Sequence, residues 1–449
     1  MKRLIFAFIV MAVTAITSTA VDINGIWKGV LMDQIPVVIR ITNPSSATLS
    51  SPSQGMIDMP VDKAVIDTVV GSIHLELNSL GITLDGQYNA DNELVDAIFI
   101  QGATIPLRLQ RGSEADLLID RPQSPRPPYY YNVEDVTFTN GHVTLAGTLT
   151  TPLVNLGGNG IGALVLITGS GTQNRDEEIA GHKPFAVIAD FLTRAGWAVL
   201  RYDDRGAGGS SPSRPGDTTL DFASDAMAAV RFLQSRPEVD PSRIGLLGHS
   251  EGGTIAFINA ATHPEEIAFV VSLAGAALKG ADVMVSQNRM MAEAAGRELS
   301  PSELESISKI FNVIATESDS TAMASRLDEA MREAKPGITD EEIQAQIRVM
   351  TSPWYVNFVR LDPALYLSKI TCPVLALNGT YDLQVECGPN LEAIKAAVPS
   401  ATVEPIPGAN HFFQKVDSPI HGLNPGTHSE TISPDVLSAI ARWLTRSAR

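Results

Sequence analysis

The chain has only two cysteines, Cys372 and Cys387, in 449 residues. That count excludes a disulfide framework, and no cysteine–histidine spacing suggests zinc or another metal site. Cys372 should begin a core strand, and Cys387 should lie past its far end. A strand of five or six residues spans roughly 17 Å, beyond the reach of a disulfide. Two unpaired, buried thiols are therefore expected. Basic residues are also scarce: 33 Lys and Arg stand against 50 Asp and Glu, for a formal net charge of −17. This balance argues against nucleic acid as a partner and favours solubility. Beyond residue 20 no apolar run is long enough to cross a bilayer. There is no internal repeat, no Gly-x-Gly-x-x-Gly and no Walker lysine, so no phosphate loop is expected. No aromatic-rich stretch names a glycan ligand.

What is present begins with residues 1–20. Lys2 and Arg3 precede an apolar run over residues 4–15, and Ser18-Thr19-Ala20 supplies small residues for cleavage. This pattern predicts a secretory signal peptide and an exported protein, periplasmic or secreted, with no stable membrane span after cleavage. An uncleaved anchor is the alternative. No cysteine lies near the cleavage point, which speaks against a lipid anchor. Residues 21–112 read as a small antiparallel β domain, a sandwich or barrel. Its strand-like runs lie at 36–42, 72–77, 82–88 and 104–109, and Asn89-Ala90-Asp91-Asn92 supplies a turn. Gly25-Ile26-Trp27-Lys28-Gly29 has a distant likeness to the start of a lipocalin-like barrel, but Trp27 reads as plain core. Residues 113–130 include Arg121-Pro122-Gln123-Ser124-Pro125-Arg126-Pro127-Pro128, read as an extended proline-rich linker.

From residue 131 to 449 the pattern changes. A hairpin is expected to turn at Asn140-Gly141. Buried strands at 163–167, 198–202, 244–247, 268–273, 373–377 and 402–406 then alternate with helices near 184–195, 220–235, 391–397 and 434–444. Such alternation implies a mostly parallel sheet covered on both faces. It is interrupted over about 277–360 by a helix-rich insertion rich in methionine and charge. Ser300-Pro301-Ser302-Glu303 gives that block a clear helix start.

Gly248-His249-Ser250-Glu251-Gly252 follows an apolar strand and precedes a run of small, helix-compatible residues. Strand, sharp turn and helix around Gly-x-Ser-x-Gly make the nucleophile elbow of an α/β-hydrolase. A serine hydroxyl is a poor nucleophile, so it must project from a tight turn toward a base. In this fold an acid and then a histidine follow it, each at a strand end. Asp382 lies just after one strand and His411 just after the next. Glu404 competes as the acid but sits inside its strand. His249 adjoins the serine and is expected to point away from it. Two N–H donors are needed for the oxyanion. Glu251, after the serine, supplies one, and Ser170, in the glycine-rich loop after the first parallel strand, the other, with Gly171 as the alternative.

The chain resembles bacterial esterases of the α/β-hydrolase superfamily, specifically an exported group with an inserted helical cap. The likeness rests on Gly169-Ser170-Gly171…Asn174-Arg175-Asp176-Glu177, Gly181-His182-Lys183-Pro184-Phe185, Tyr202-Asp203-Asp204-Arg205-Gly206, the elbow, Asp382-Leu383-Gln384-Val385 and Asn410-His411-Phe412-Phe413-Gln414. It covers about 130–449 and leaves 21–112 unexplained. It implies a serine carboxylesterase acting on short acyl esters, without a cofactor. Two alternatives stay open: a peptidase of the prolyl-oligopeptidase or aminopeptidase kind, and a non-catalytic ligand-binding protein on the same fold. The N-terminal domain is too short for a multi-blade propeller, but it could bind a polymer or envelope component. Arg175, Asp176, His182 and Arg205 are read as pairs that hold the oxyanion loop. Within the insertion, Met284, Met290, Met291, Phe311, Trp354 and Phe358 are expected to line the acyl pocket, because methionine adapts to varied chains.

Overall fold

The computed structural model describes residues 21–32, 35–54, 56–117, 121–154 and 160–447. The expected export signal lies outside these residues. The chain divides into two compact units, residues 1–119 and 120–449.

The first unit is all β. Its strands are β1 (Gly25–Leu31), β2 (Ile35–Asn43), β3 (Ser46–Ser51), β4 (Met56–Pro60), β5 (Lys63–Asp67), β6 (Ser72–Leu77), β7 (Ile82–Asn89), β8 (Leu94–Gln101) and β9 (Ala103–Arg111). They form one antiparallel sheet in the order β4-β3-β2-β1-β9-β8-β7-β6-β5. The sheet curls on itself, so the layout is one sheet rather than the two of a sandwich. Alternation sets its inner face: Ile73, Leu75 and Leu77 of β6 and Ile82 and Leu84 of β7 point inward, around a fully buried Trp27. The Trp27 indole N–H donates to the Ile23 carbonyl at 2.8 Å, which satisfies the ring's polar atom inside the core.

The second unit carries an eight-stranded sheet in the order β10-β11-β13-β12-β14-β15-β16-β17. These strands are β10 (Tyr131–Asn140), β11 (Val143–Pro152), β12 (Ile161–Ile167), β13 (Ala198–Tyr202), β14 (Val239–His249), β15 (Phe269–Leu273), β16 (Val374–Gly379) and β17 (Thr402–Ile406). The hairpin of β10 and β11 turns after Asn140, with Gly141 in the left-handed region. β11 meets β13 antiparallel, and β13 through β17 are parallel. Both faces are buried, so the strands are nearly continuously apolar. Along β12, Ala163, Val165 and Ile167 face one core and Leu164 and Leu166 the other. α2 (Thr219–Gln234), α3 (Glu251–Thr262) and α10 (Cys387–Ala397) cover the first face; α1 (Pro184–Arg194) and α11 (Pro434–Ser447) cover the second.

Between β15 and β16 stand α4 (Gly280–Ala294), α5 (Pro301–Thr316), α6 (Ser320–Ala334), α7 (Asp340–Met350), α8 (Pro353–Arg360) and the short α9 (Ala364–Leu367). α4 to α8 share an apolar core of their own. Ser300, Thr339 and Ser352 cap α5, α7 and α8 with their hydroxyls, as helix starts require. Among the described residues no helix is long and apolar enough to cross a membrane.

The stretch read as a linker is divided between the two units. Asp116 pairs with Lys28 at 2.6 Å in the first. Arg121, only 5% exposed, belongs to the second, where its guanidinium donates to the carbonyls of Ala180, Gly426 and His428. Gln123 adds bonds to Thr431 and Ile432. The segment is not extended as expected: it turns at once, with the Ser124 N–H donating to the Arg121 carbonyl at 2.9 Å, and its polar side chains fasten it to the fold.

Candidate active site

Ser250 stands between β14 and α3 with φ +53° and ψ −120°. A non-glycine residue held there carries roughly 1–3 kcal/mol of strain, which the surroundings must enforce. They do so at close range. A Cβ on Gly248 would lie 2.0 Å from the Gly252 carbonyl oxygen, and one on Gly252 would lie 2.1 Å from that of Ile167. The Ser250 N–H also donates to the Leu273 carbonyl at 2.8 Å, which pins the turn to the end of β15.

Asp382 follows β16, and its carboxylate is fully buried. Oδ1 accepts the N–H groups of Gln384 at 2.7 Å and Val385 at 2.9 Å. Oδ2 lies 2.8 Å from His411 Nδ1, so this nitrogen donates to it and the imidazole is oriented by it. His411 sits in the loop after β17. Asn410 builds that loop: its Oδ1 accepts from Phe412 and Gln414, and its Nδ2 donates to Gln414 and Gly422.

The loop after β12 is shaped by acidic side chains. The Gly169 N–H donates to Glu177 at 2.7 Å, Gln173 N–H to Asp204 at 3.0 Å, and Arg175 N–H to Asp203 at 2.8 Å. Arg175 closes on Asp203 through its guanidinium as well. Asp176 pairs with Arg201, and Arg205 with Asp217 and Asp225. His182 bridges Thr431 and the Pro425 carbonyl; burial pushes its pKa down to about 4 and keeps it neutral. All four residues of the loop's surroundings thus have partners within the fold.

Sequence reasoning missed three groups. His249 is buried beside His411, with ring centres 4.8 Å apart. Its Nδ1 lies 2.9 Å from Glu177 and its Nε2 3.0 Å from the His411 carbonyl oxygen. Both nitrogens therefore face acceptors. Burial pulls its pKa down, but Glu177 and the His411 carbonyl more than offset this, and the net direction is up. His249 and Glu177 together join the loop that carries Ser170 to the loop that carries His411. The partners lie 72 and 162 residues away along the chain, so no local pattern marks them.

The third group is Asp204, at the end of β13. Burial pushes its carboxyl up to about 8, against the hydrogen bonds from Gln173 and Thr168. The protonated form is favoured in the fold. The stability this gives is fully present below the ordinary aspartate value of about 3.9 and is lost as pH rises through about 8. Asp204→Asn cannot ionise. Its Tm is expected to fall less than that of the wild type between about pH 5 and about pH 8.5. Equal falls would show that Asp204 is not the group that titrates.

The six residues expected to line the acyl pocket are scattered. Met284, Phe311 and Phe358 pack into the insertion's own core. Met291 is 40% exposed. Met290 borders a cavity of about 570 Å³ together with Tyr381, Asp382 and Leu383. Trp354 reaches back to the elbow, where its indole N–H donates to Glu251 at 3.1 Å. Phe311 borders a separate cavity of about 760 Å³ between α4 and α5. Helical spacing could not separate these cases, because methionine suits a helix core as well as a pocket wall.

Residues 162–418 match the alpha/beta hydrolase fold family, over more than half of the chain. The chain belongs to this family. This α/β-hydrolase is 28% identical to Esterase EstD of Thermotoga maritima over 264 residues, 58% of this chain and 54% of EstD. It is 35% identical to the putative esterase NocK of Nocardia uniformis subsp. tsuyamanensis over 116 residues, 25% of this chain and 32% of NocK. The match thus spans about half of EstD and a third of NocK. Among solved structures, the ferulic acid complex of Est1E from Butyrivibrio proteoclasticus is 18% identical, covers 70% of this chain and 98% of its own, and superposes with a TM-score of 0.43.

Proposed function

We propose that this α/β-hydrolase is a serine carboxylesterase acting on short-chain esters. The observation that carries the reading is a serine held at φ +53° on the elbow, in a fold that also places a buried Asp382 carboxylate 2.8 Å from His411 Nδ1. In this reading Ser250 Oγ attacks the ester carbonyl carbon while His411 takes its proton. The oxyanion is held by the amides of Glu251 and Ser170. Collapse of the tetrahedral intermediate expels the alcohol, which receives the proton from His411. Water, deprotonated by His411, then releases the acid and restores Ser250. The chemistry needs only these side chains and water.

An activity panel on the purified chain tests this. Aryl esters of rising acyl length, acetylated sugars and aminoacyl amides would be compared, with hydrolysis of the short aryl esters expected to be fastest. Faster cleavage of the amides would replace the reading with a peptidase. Among the insertion residues, Met290 is the one expected to meet the acyl chain, because it borders the same cavity as Asp382. Met290→Ala is expected to change the hexanoyl-to-acetyl preference several-fold, toward the roughly tenfold that one methylene is worth in an apolar pocket. Met291→Ala should leave the preference unchanged. If both variants scale the two esters equally, the insertion does not choose the acyl chain.

A further inference from the structure

The Glu251 side chain has no part in the chemistry above, although its amide does. It is 3% exposed, a carboxylate in the interior next to the candidate nucleophile. A buried carboxylate is costly unless donors surround it. Here the donors come from two separate segments. Thr219 Oγ, at the start of α2, donates to Oε1 at 2.6 Å. The Trp354 indole N–H, from α8 of the insertion, is shared between Oε1 at 3.1 Å and Oε2 at 3.2 Å. The start of α3 also abuts the loop after β12: a Cβ on Gly252 would lie 2.1 Å from the Ile167 carbonyl oxygen and 2.5 Å from that of Thr168, and the Ser170 side chain acts on the carboxylate in the direction that lowers its pKa. Burial holds the Glu251 pKa above the usual range, and Thr219, Ser170 and Trp354 work against that shift.

The arrangement is specific in what it connects. Trp354 stacks on Phe358 one turn further along α8, with ring centres 5.9 Å apart. Phe358 belongs to the core of the insertion, and its backbone lies so close to α4 that a Cβ on Gly280 would meet the Phe358 carbonyl oxygen at 1.9 Å. The indole is therefore carried rigidly by the inserted helices. At the other end, Glu251 opens α3 directly after Ser250, and Ser170 carries the second candidate amide donor. An indole nitrogen can only donate, so the bond exists only while α8 holds its position over the carboxylate.

We infer that the Glu251 carboxylate is a positioning residue that couples the inserted helices to the oxyanion loop, so that displacement of α8 by a bound acyl group is transmitted to the two amide donors. The inference rests on the esterase reading for its kinetic consequence, not for its structural one. A purely packing role for the same bonds would cost stability without touching the loop or turnover selectively.

The test uses the full chain with Trp354→Phe, which keeps the stacked ring and removes the donor, with Glu251→Gln, and with both together. Amide hydrogen exchange over residues 168–173 is the first readout. Each single variant is expected to raise exchange there several-fold, the double variant no further, and exchange in the sheet strands should not change. Kinetics on an acetyl ester is the second. Turnover should fall about 10- to 100-fold with KM changed less than about twofold, as expected when oriented groups are displaced by a fraction of an ångström. The double variant should match the worse single one, the signature of groups that act as one unit. Unchanged loop exchange in Trp354→Phe overturns the inference, and so do effects that multiply in the double variant. If the wild type hydrolyses no ester, the esterase reading fails alone, and hydrogen exchange still decides the coupling.

Discussion

Ser250→Ala is expected to fold as the wild type does and to lose esterase activity by about 10⁴-fold or more. Stability should hold because nothing that fixes the elbow depends on the hydroxyl. The N–H bond to Leu273 is made by the backbone. The positive φ is imposed by the contacts around Gly248 and Gly252, and alanine bears the same strain as serine there. Activity should vanish because no other hydroxyl can take the same place at the end of β14. A fluorophosphonate probe checks the assignment directly. It should label the wild type at Ser250 and leave the Ser250→Ala protein unlabelled. Labelling that persists in the variant would move the nucleophile elsewhere, whatever the kinetics show.

Asp382→Asn should lower turnover by roughly 10³- to 10⁴-fold while leaving the local structure in place. The asparagine oxygen can still accept the N–H groups of Gln384 and Val385, which hold the loop. Its amide nitrogen then faces His411 Nδ1 where a carboxylate oxygen stood. Two donors cannot share that contact, so His411 must shift its proton to Nε2. In that tautomer it cannot accept the serine proton. Glu404→Gln is the control. Glu404 lies within β17, paired to Leu377 of β16, and its replacement should cost little. A larger loss for Glu404→Gln than for Asp382→Asn would show that the acid had been assigned to the wrong strand end.

Much of the hydrolase unit was legible because its strands are buried on both faces. Runs such as Ala163-Leu164-Val165-Leu166-Ile167 read as buried strands between turns, and Pro184 and Pro434 mark the starts of α1 and α11. The three candidate residues each follow a strand, Ser250 after β14, Asp382 after β16 and His411 after β17, and a strand end is where the sequence pattern directs attention. The first unit was harder. β8 (Leu94–Gln101) mixes Asp96 and Gln101 into an apolar run, and β3 to β5 are short, so β1, β3, β4, β5 and β8 were not drawn as strands. A sheet that curls also cannot be told from a sandwich by alternation, which is the same in both. The support around the site was hidden for another reason. The sequence sets His249 beside Ser250 but carries no sign of its partners. Its Nε2 lies 3.0 Å from the His411 carbonyl oxygen, 162 residues away, and only the folded chain brings those atoms together.

The fastening of Arg121 and Gln123 has a bearing on how this enzyme unit can be moved. Their bonds to Ala180, Gly426, His428, Thr431 and Ile432 tie the entering chain to the same segments that hold His182 through Thr431 and Pro425. The hydrolase therefore carries its own threshold on its amino-terminal side. A graft onto another carrier has to be cut ahead of Arg121, not at the first strand of the sheet. Cut later, it would take the Arg121 donors away from the carbonyls of Ala180, Gly426 and His428. Seen this way, the proline-rich stretch is a fitted part of the hydrolase unit itself.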